Sequence, residues 1–202
     1  MKSSKLAIFV SAALATSVAF AQSPANPPSD RTAVDRTTTY PATTDQTARN
    51  LPTDSAFLKQ MAIGGITEVD AGKLAAQKAQ SKDVKDFGQH MIDDHSKSND
   101  KLAALAKEKN VDLPSKPDAK HEATKEMLEK QSTTNFDAAY MEAMVKAHEN
   151  TVQLLQNQIR AGQDAKIKQF ATETLPTVAR HLDTAKQLQA KVGSGAGKPS
   201  RL

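Results

Sequence analysis

The chain predicts an all-α fold: two helical hairpins packed face to face, with a short extra helix in the connection between them. Three observations carry that expectation. Between Asp54 and Val192, apolar residues recur at alternating spacings of three and four, the repeat of one helix face. Of the nine prolines, only Pro176 falls inside one of these stretches. There is also a faint internal repeat. Ser81-Lys-Asp-Val-Lys-Asp-Phe87 resembles Asp164-Ala-Lys-Ile-Lys-Gln-Phe170, each opening the second helix of a hairpin, and Phe57, Phe87, Phe136 and Phe170 fall one per helix.

The first helix is expected from Asp54, a plausible N-cap, to Gln80. Its core stripe is Phe57, Met61, Gly64, Glu68, Ala71 and Ala75, and its glycines, weak helix formers, permit close approach of a neighbour. The second starts at Ser81, reaches about Asn110, and carries Val84, Gly88, Met91, His95, Ser98, Leu102 and Leu105. Within the connection 111–133 a shorter helical stretch runs from Asp118 to Lys130. The third follows Thr134, where Asp137 gives an acidic variant of the capping box. It carries Met141, Met144, His148, Val152, Leu155 and Ile159 and stops near Gly162. The fourth starts at Asp164 and carries Ile167, Phe170, Thr174, Val178, His181, Ala185, Leu188 and Val192. Pro176 removes one backbone hydrogen bond there and predicts a kink.

The ends read differently. Residues 1–21 have the form of a secretory signal: Lys2 and Lys5, an apolar run from Leu6 to Phe20, and an Ala19-Phe20-Ala21 cleavage site. Residues 22–52, rich in Ser, Thr, Pro and Asn, have too little apolar surface to offset the entropy of ordering and are expected to be a disordered tether. Residues 53–192 form the helical domain, and 193–202 a flexible tail. Without Lys2 and Lys5, the 27 basic and 23 acidic residues leave a formal charge of +2, too balanced for a nucleic-acid partner. The absence of cysteine excludes disulfides, thiol chemistry and thiolate metal sites. Nothing after the signal approaches a transmembrane stretch. An exported protein follows, most simply periplasmic, with an envelope protein or the outer membrane as the expected contact.

The helical stripes carry one polar layer. Glu68 and His95 are equidistant, 13.5 residues each, from a turn centred near 81.5, and His148 and His181 are each 16.5 residues from a turn near 164.5. In antiparallel hairpins equidistant residues share a level, and at about 1.5 Å per residue both levels fall roughly 20–25 Å from the turns. Three imidazoles and a carboxylate on four helices suit one divalent ion, Zn²⁺ or Cu²⁺ before Fe²⁺, with Asp94 as a reserve ligand and Tyr140 as a group behind the ligands. The same four residues could instead satisfy one another as a structural hydrogen-bonded layer. Both readings stand on the sequence.

A di-iron oxidase is a poorer fit. Such sites need Glu-x-x-His pairs, and the residues three before His95, His148 and His181 are Ile92, Val145 and Val178. Other candidates read as ordinary surface or core. His90 lies off the stripe, His121 and Glu122 sit on the connecting helix, and the register of Glu173 is made unsafe by Pro176. Met91, Met127, Met141 and Met144 could bind Cu⁺, although methionine at helical spacing more often fills a core. No nucleophile, general base or phosphate-binding loop is identifiable, so no enzyme is expected.

Several of these segments carry a resemblance. The runs Glu68-Val-Asp-Ala-Gly-Lys-Leu-Ala75 and Val84-Lys-Asp-Phe-Gly-Gln-His-Met-Ile-Asp-Asp-His95 resemble the first half of a family of exported bacterial ferritin-like proteins. That family has no assigned function and is often labelled only as outer-membrane proteins. Phe136-Asp-Ala-Ala-Tyr140, His148 and Phe170-Ala-Thr-Glu-Thr-Leu-Pro176 through His181 resemble its second half. The resemblance implies a ferritin-like four-helix bundle in the cell envelope and supplies no reaction. The expected function is therefore binding or stress protection in the periplasm, with one divalent ion held at mid-bundle. The alternative is an envelope interaction module whose polar layer is structural.

Overall fold

The structure, a computed structural model, describes residues 53–195, all helix and connecting turns. The signal expected over 1–21, the tether over 22–52 and residues 196–202 of the tail lie outside it. Five helices are present: α1 Asp54–Lys78, α2 Lys82–Glu108, α3 Ala119–Glu129, α4 Thr133–Ala161 and α5 Ala165–Gly195. α1 packs along α2 and α4 along α5, forming two hairpins; α1 also meets α4, α2 meets α5, and α3 lies mainly against α1. No described helix is long and apolar enough to cross a membrane.

Two turns of the capping logic differ from the sequence expectation. The N-cap of α1 is Thr53, whose hydroxyl accepts from the Ala56 amide at 3.2 Å. Asp54 is the first helical residue, and its carboxylate accepts from the amides of Gln163 (3.2 Å) and Asp164 (2.7 Å) in the α4–α5 turn. Asp137 does not close a capping box on α4, which starts at Thr133. It accepts instead from the amides of Gln80 (3.0 Å) and Ser81 (2.8 Å) in the α1–α2 turn. Each hairpin thus closes the other's turn, and α1 and α4 run antiparallel.

Other boundaries follow local chemistry. Asp164 caps α5, accepting from the amides of Lys166 (2.9 Å) and Ile167 (3.1 Å). α2 ends on Asn110 at φ 54°, with Asn110 bonded back to Lys107 and Val111 to Ala106, the paired bonds of a left-handed C-terminal cap. Lys78 donates to the carbonyls of Leu128 and Gln131, tying down the C-terminal end of α3. α5 continues through Pro176 to Gly195, so the tail expected from residue 193 is still helical at its start.

The buried residues form two apolar clusters on either side of the polar layer. One contains Phe87, Met91, Leu128, Phe136, Tyr140, Met141 and Met144; the other contains Phe57, Leu58, Leu102, Leu155, Ile167 and Phe170. Met91, Met141 and Met144 are core residues, while Met127 is exposed on α3.

Candidate metal centre

Glu68, His95, His148 and His181 come from α1, α2, α4 and α5 respectively, and all four are buried. What lets α1 and α2 bring a carboxylate and an imidazole into contact is the absence of side chains below them. A Cβ built on Gly72 would lie 2.7 Å from the Gly88 carbonyl oxygen, and one on Gly88 would lie 2.7 Å from Ala75 Cβ. The backbones touch there, and Glu68 Oε2 consequently reaches His95 Nδ1 at 3.0 Å.

The other carboxylate oxygen, Oε1, lies 3.4 Å from His148 Nδ1. That nitrogen has a better partner in the Met144 carbonyl at 2.9 Å, one helical turn upstream. His181 Nε2 is fixed by Asp94 Oδ2 at 3.0 Å, across the α2–α5 seam. These contacts fix the tautomers. Each carbonyl or carboxylate needs a proton from the ring it faces, so the opposite nitrogen of each ring is left with a bare lone pair.

The three remaining nitrogens, His95 Nε2, His148 Nε2 and His181 Nδ1, are buried and have no hydrogen-bond partner among the described residues. The rings form a near-equilateral triangle, with centroids 5.5, 5.6 and 5.7 Å apart. One nitrogen from each ring lies within 4.8 Å of the others, the convergent ligand group among the described residues. Glu68 stands outside that group because its oxygens face Nδ1 atoms. Leaving a buried acceptor unsatisfied costs roughly 1–3 kcal/mol, and here three acceptors share that condition within one small volume.

Burial holds the His148 imidazole below its usual pKa, with Glu68 opposing the shift and His95 adding to it. Burial also pushes His181 down to about 4; neighbouring His95 adds to the fall, and the Asp94 hydrogen bond works against it. Both rings are accordingly neutral at pH 7, the form that binds metal. Tyr140 is fully buried, its hydroxyl has no partner, and burial followed by the charge of Glu68 raises its pKa above the normal phenol range.

The remaining candidates lie apart from this layer. His90 is exposed, Glu173 is exposed and accepts from Gln169, and His121 is held at 2.6 Å by its own Asp118 on α3. Asp94 sits at the layer but hydrogen-bonds to a ring nitrogen. The Met144 carbonyl and the Asp94 contact were not visible as ring-orienting groups in the sequence. The available signal was position alone: Met144 is one turn before His148, and Asp94 adjoins His95 on the edge facing α5.

A family model described as a domain of unknown function, DUF4142, matches residues 38–188. The chain belongs to the DUF4142 family. No curated protein matches it in sequence. Among solved structures, a DUF305 fragment from Deinococcus radiodurans is similar at a TM-score of 0.62 and 12% identity, covering 69% of this chain and 97% of that one. CopM in its Cu(II)-bound form gives a TM-score of 0.61 at 16% identity, covering 70% and 98% respectively. A DUF305 protein from Streptomyces coelicolor, named as secreted, gives 0.60 at 11% identity, covering 74% and 99%. At these identities the likeness is one of fold.

Proposed function

We propose that this DUF4142 chain is an exported metal-binding protein of the cell envelope that holds one divalent ion on His95, His148 and His181. In this reading the two hairpins form a ferritin-like four-helix bundle, the signal over 1–21 directs the chain to the periplasm, and binding removes a harmful ion or guards against envelope stress. Glu68 and Asp94 orient the ligands, a role ligating imidazoles commonly require of nearby carboxylates. Together they also offset an ion of charge 2+. Copper(II) and zinc(II) are the expected ions, both suited to imidazole. Structural likeness to a Cu(II)-bound protein supports copper as the first to test.

The observation that carries the reading is the convergence of three buried imidazoles, each with one nitrogen that has no partner among the described residues. At bond lengths of about 2.0–2.1 Å, three nitrogens around one ion lie about 3.3–3.6 Å apart. The ring nitrogens, now within 4.8 Å of one another, therefore need to draw in by at most about 1.5 Å. A bound ion would also satisfy all three acceptors at once, which no side chain among the described residues does.

The test is thermal unfolding of the purified chain with and without added ion. At free ion a hundredfold above its dissociation constant, the folded state should gain about 2.7 kcal/mol. His148→Ala and His181→Ala should each remove the gain, and His121→Ala should not. The gain should fade only as pH falls towards about 4, where the buried His181 ring takes up a proton. If Cu²⁺, Zn²⁺ and Fe²⁺ all leave the wild type unchanged while the histidine variants are destabilised, the layer is structural, and the envelope interaction module becomes the better reading.

A further inference from the structure

Three buried imidazoles need a way in, and the packing closes most of them. Along the long axis, Phe57, Leu58, Leu102 and Leu155 seal one side and Phe87, Met91, Tyr140 and Met141 the other. Within the first hairpin, Gly72 and Gly88 bring the α1 and α2 backbones together. The α4–α5 hairpin is closed by its own packing. At the α2–α5 seam, Asp94 bridges to His181, Lys191 pairs with Asp83, and the Phe87 ring meets His181 edge-on at 6.4 Å.

The α1–α4 seam is different. A groove of about 1100 Å³ runs along it beneath α3, and Glu68 forms part of its lining together with Gln60, Thr67, Glu142 and Asn150. Since one water occupies about 30 Å³ of liquid, that volume admits a hydrated ion with room to spare. Gly64 also lines it, one turn from Glu68 on the same helix wall, and a Cβ built there meets nothing within 4 Å. Mid-helix glycine is less favourable than alanine by about 1 kcal/mol. At Gly72 and Gly88 close packing offsets that loss. At Gly64 no neighbour does, and what the missing side chain leaves is open groove beside Glu68.

We propose that this groove is the route by which a divalent ion reaches and leaves the three imidazoles, with Gly64 keeping it open and Glu68 at its inner end. The proposal rests on the metal reading above, and the experiment separates the two. Stopped-flow absorbance would follow Cu²⁺ uptake by the full chain, and its removal by excess chelator, in the wild type and in Gly64→Ala, Gly64→Leu and Gly64→Phe. Gly193→Leu is the control, a glycine in α5 whose added Cβ also meets nothing within 4 Å. Uptake and release should both slow as the side chain grows, by about tenfold or more for leucine and phenylalanine, with the equilibrium constant nearly unchanged because rates alone report access. Gly193→Leu should match the wild type. Wild-type rates in Gly64→Phe would overturn the groove route while leaving the metal site intact. A wild type that binds no Cu²⁺, Zn²⁺ or Fe²⁺ at equilibrium would overturn the metal reading, and the route with it.

Discussion

The two hairpins solve one problem differently. In α1–α2, a carboxylate faces an imidazole, Glu68 against His95 at 3.0 Å, so the pair is complementary without help. In α4–α5, two imidazoles face each other with ring centroids 5.6 Å apart, and each takes its hydrogen bond from another partner. His148 turns to the Met144 carbonyl of its own helix, and His181 turns to Asp94 of the other hairpin. Asymmetry between related halves is thus what leaves one lone pair free on each of three rings. A symmetric layer of two carboxylate–imidazole pairs would have left only two.

The comparison is broken most strongly at Glu68. Glu68→Leu removes the partner of one buried ring and a neighbour of the second, and should cost about 2–3 kcal/mol in urea unfolding, the upper part of the range for leaving a buried hydrogen-bonding group without its partner. Asp94→Leu should cost only about 1 kcal/mol, because Asp94 is 38% exposed and its hydrogen bond is made in competition with water. Equal costs would mean that the two hairpins do not differ in the way described.

Acid should act chiefly on the second hairpin. His181 is held at about 4 when folded against about 6.5 when unfolded, and His148 is shifted in the same direction. Between those values the unfolded chain binds more protons, so stability rises with pH and is lost as pH falls from about 6.5 towards about 4. With metal chelated, the loss attributable to His181 should approach about 3 kcal/mol. His181→Phe should flatten that part of the profile. An unchanged slope would remove the burial argument for that ring.

Smaller effects sharpen the contrast between glycines and between caps. Gly88→Ala should cost about 1–3 kcal/mol, since a methyl there must push α1 away. Gly64→Ala should gain up to about 1 kcal/mol from helix propensity alone. Asp54→Ala should cost about 2 kcal/mol and Asp137→Ala about 1 kcal/mol. The difference arises because Asp54 also accepts from the buried Gln158 amide at 2.6 Å. Chemical denaturation at pH 7.5 orders all four.

The sequence made the level of the site legible because its information is local. Each helix follows from its own stripe, and mirrored distances about two short turns suffice to place Glu68, His95, His148 and His181 at one height. The division of roles was not legible. That Glu68 spends both oxygens on ring nitrogens, and that Asp94 reaches α5, depends on helix rotations and separations that no spacing encodes. The aspartates were misread for the same reason. Asp54 and Asp137 satisfy local capping patterns, yet the amides they bond lie more than fifty residues away. The tail expected over 193–202 begins as helix, since α5 runs on to Gly195.

Those two aspartates have a consequence for how the chain unfolds. Each hairpin standing alone would leave the amides of its turn without their carboxylate, and would expose one side of both apolar clusters. Half a structure is therefore short of hydrogen bonds as well as of buried surface. The pair should melt in a single transition, and cutting the chain between α2 and α3 should yield two fragments that fold only on meeting each other.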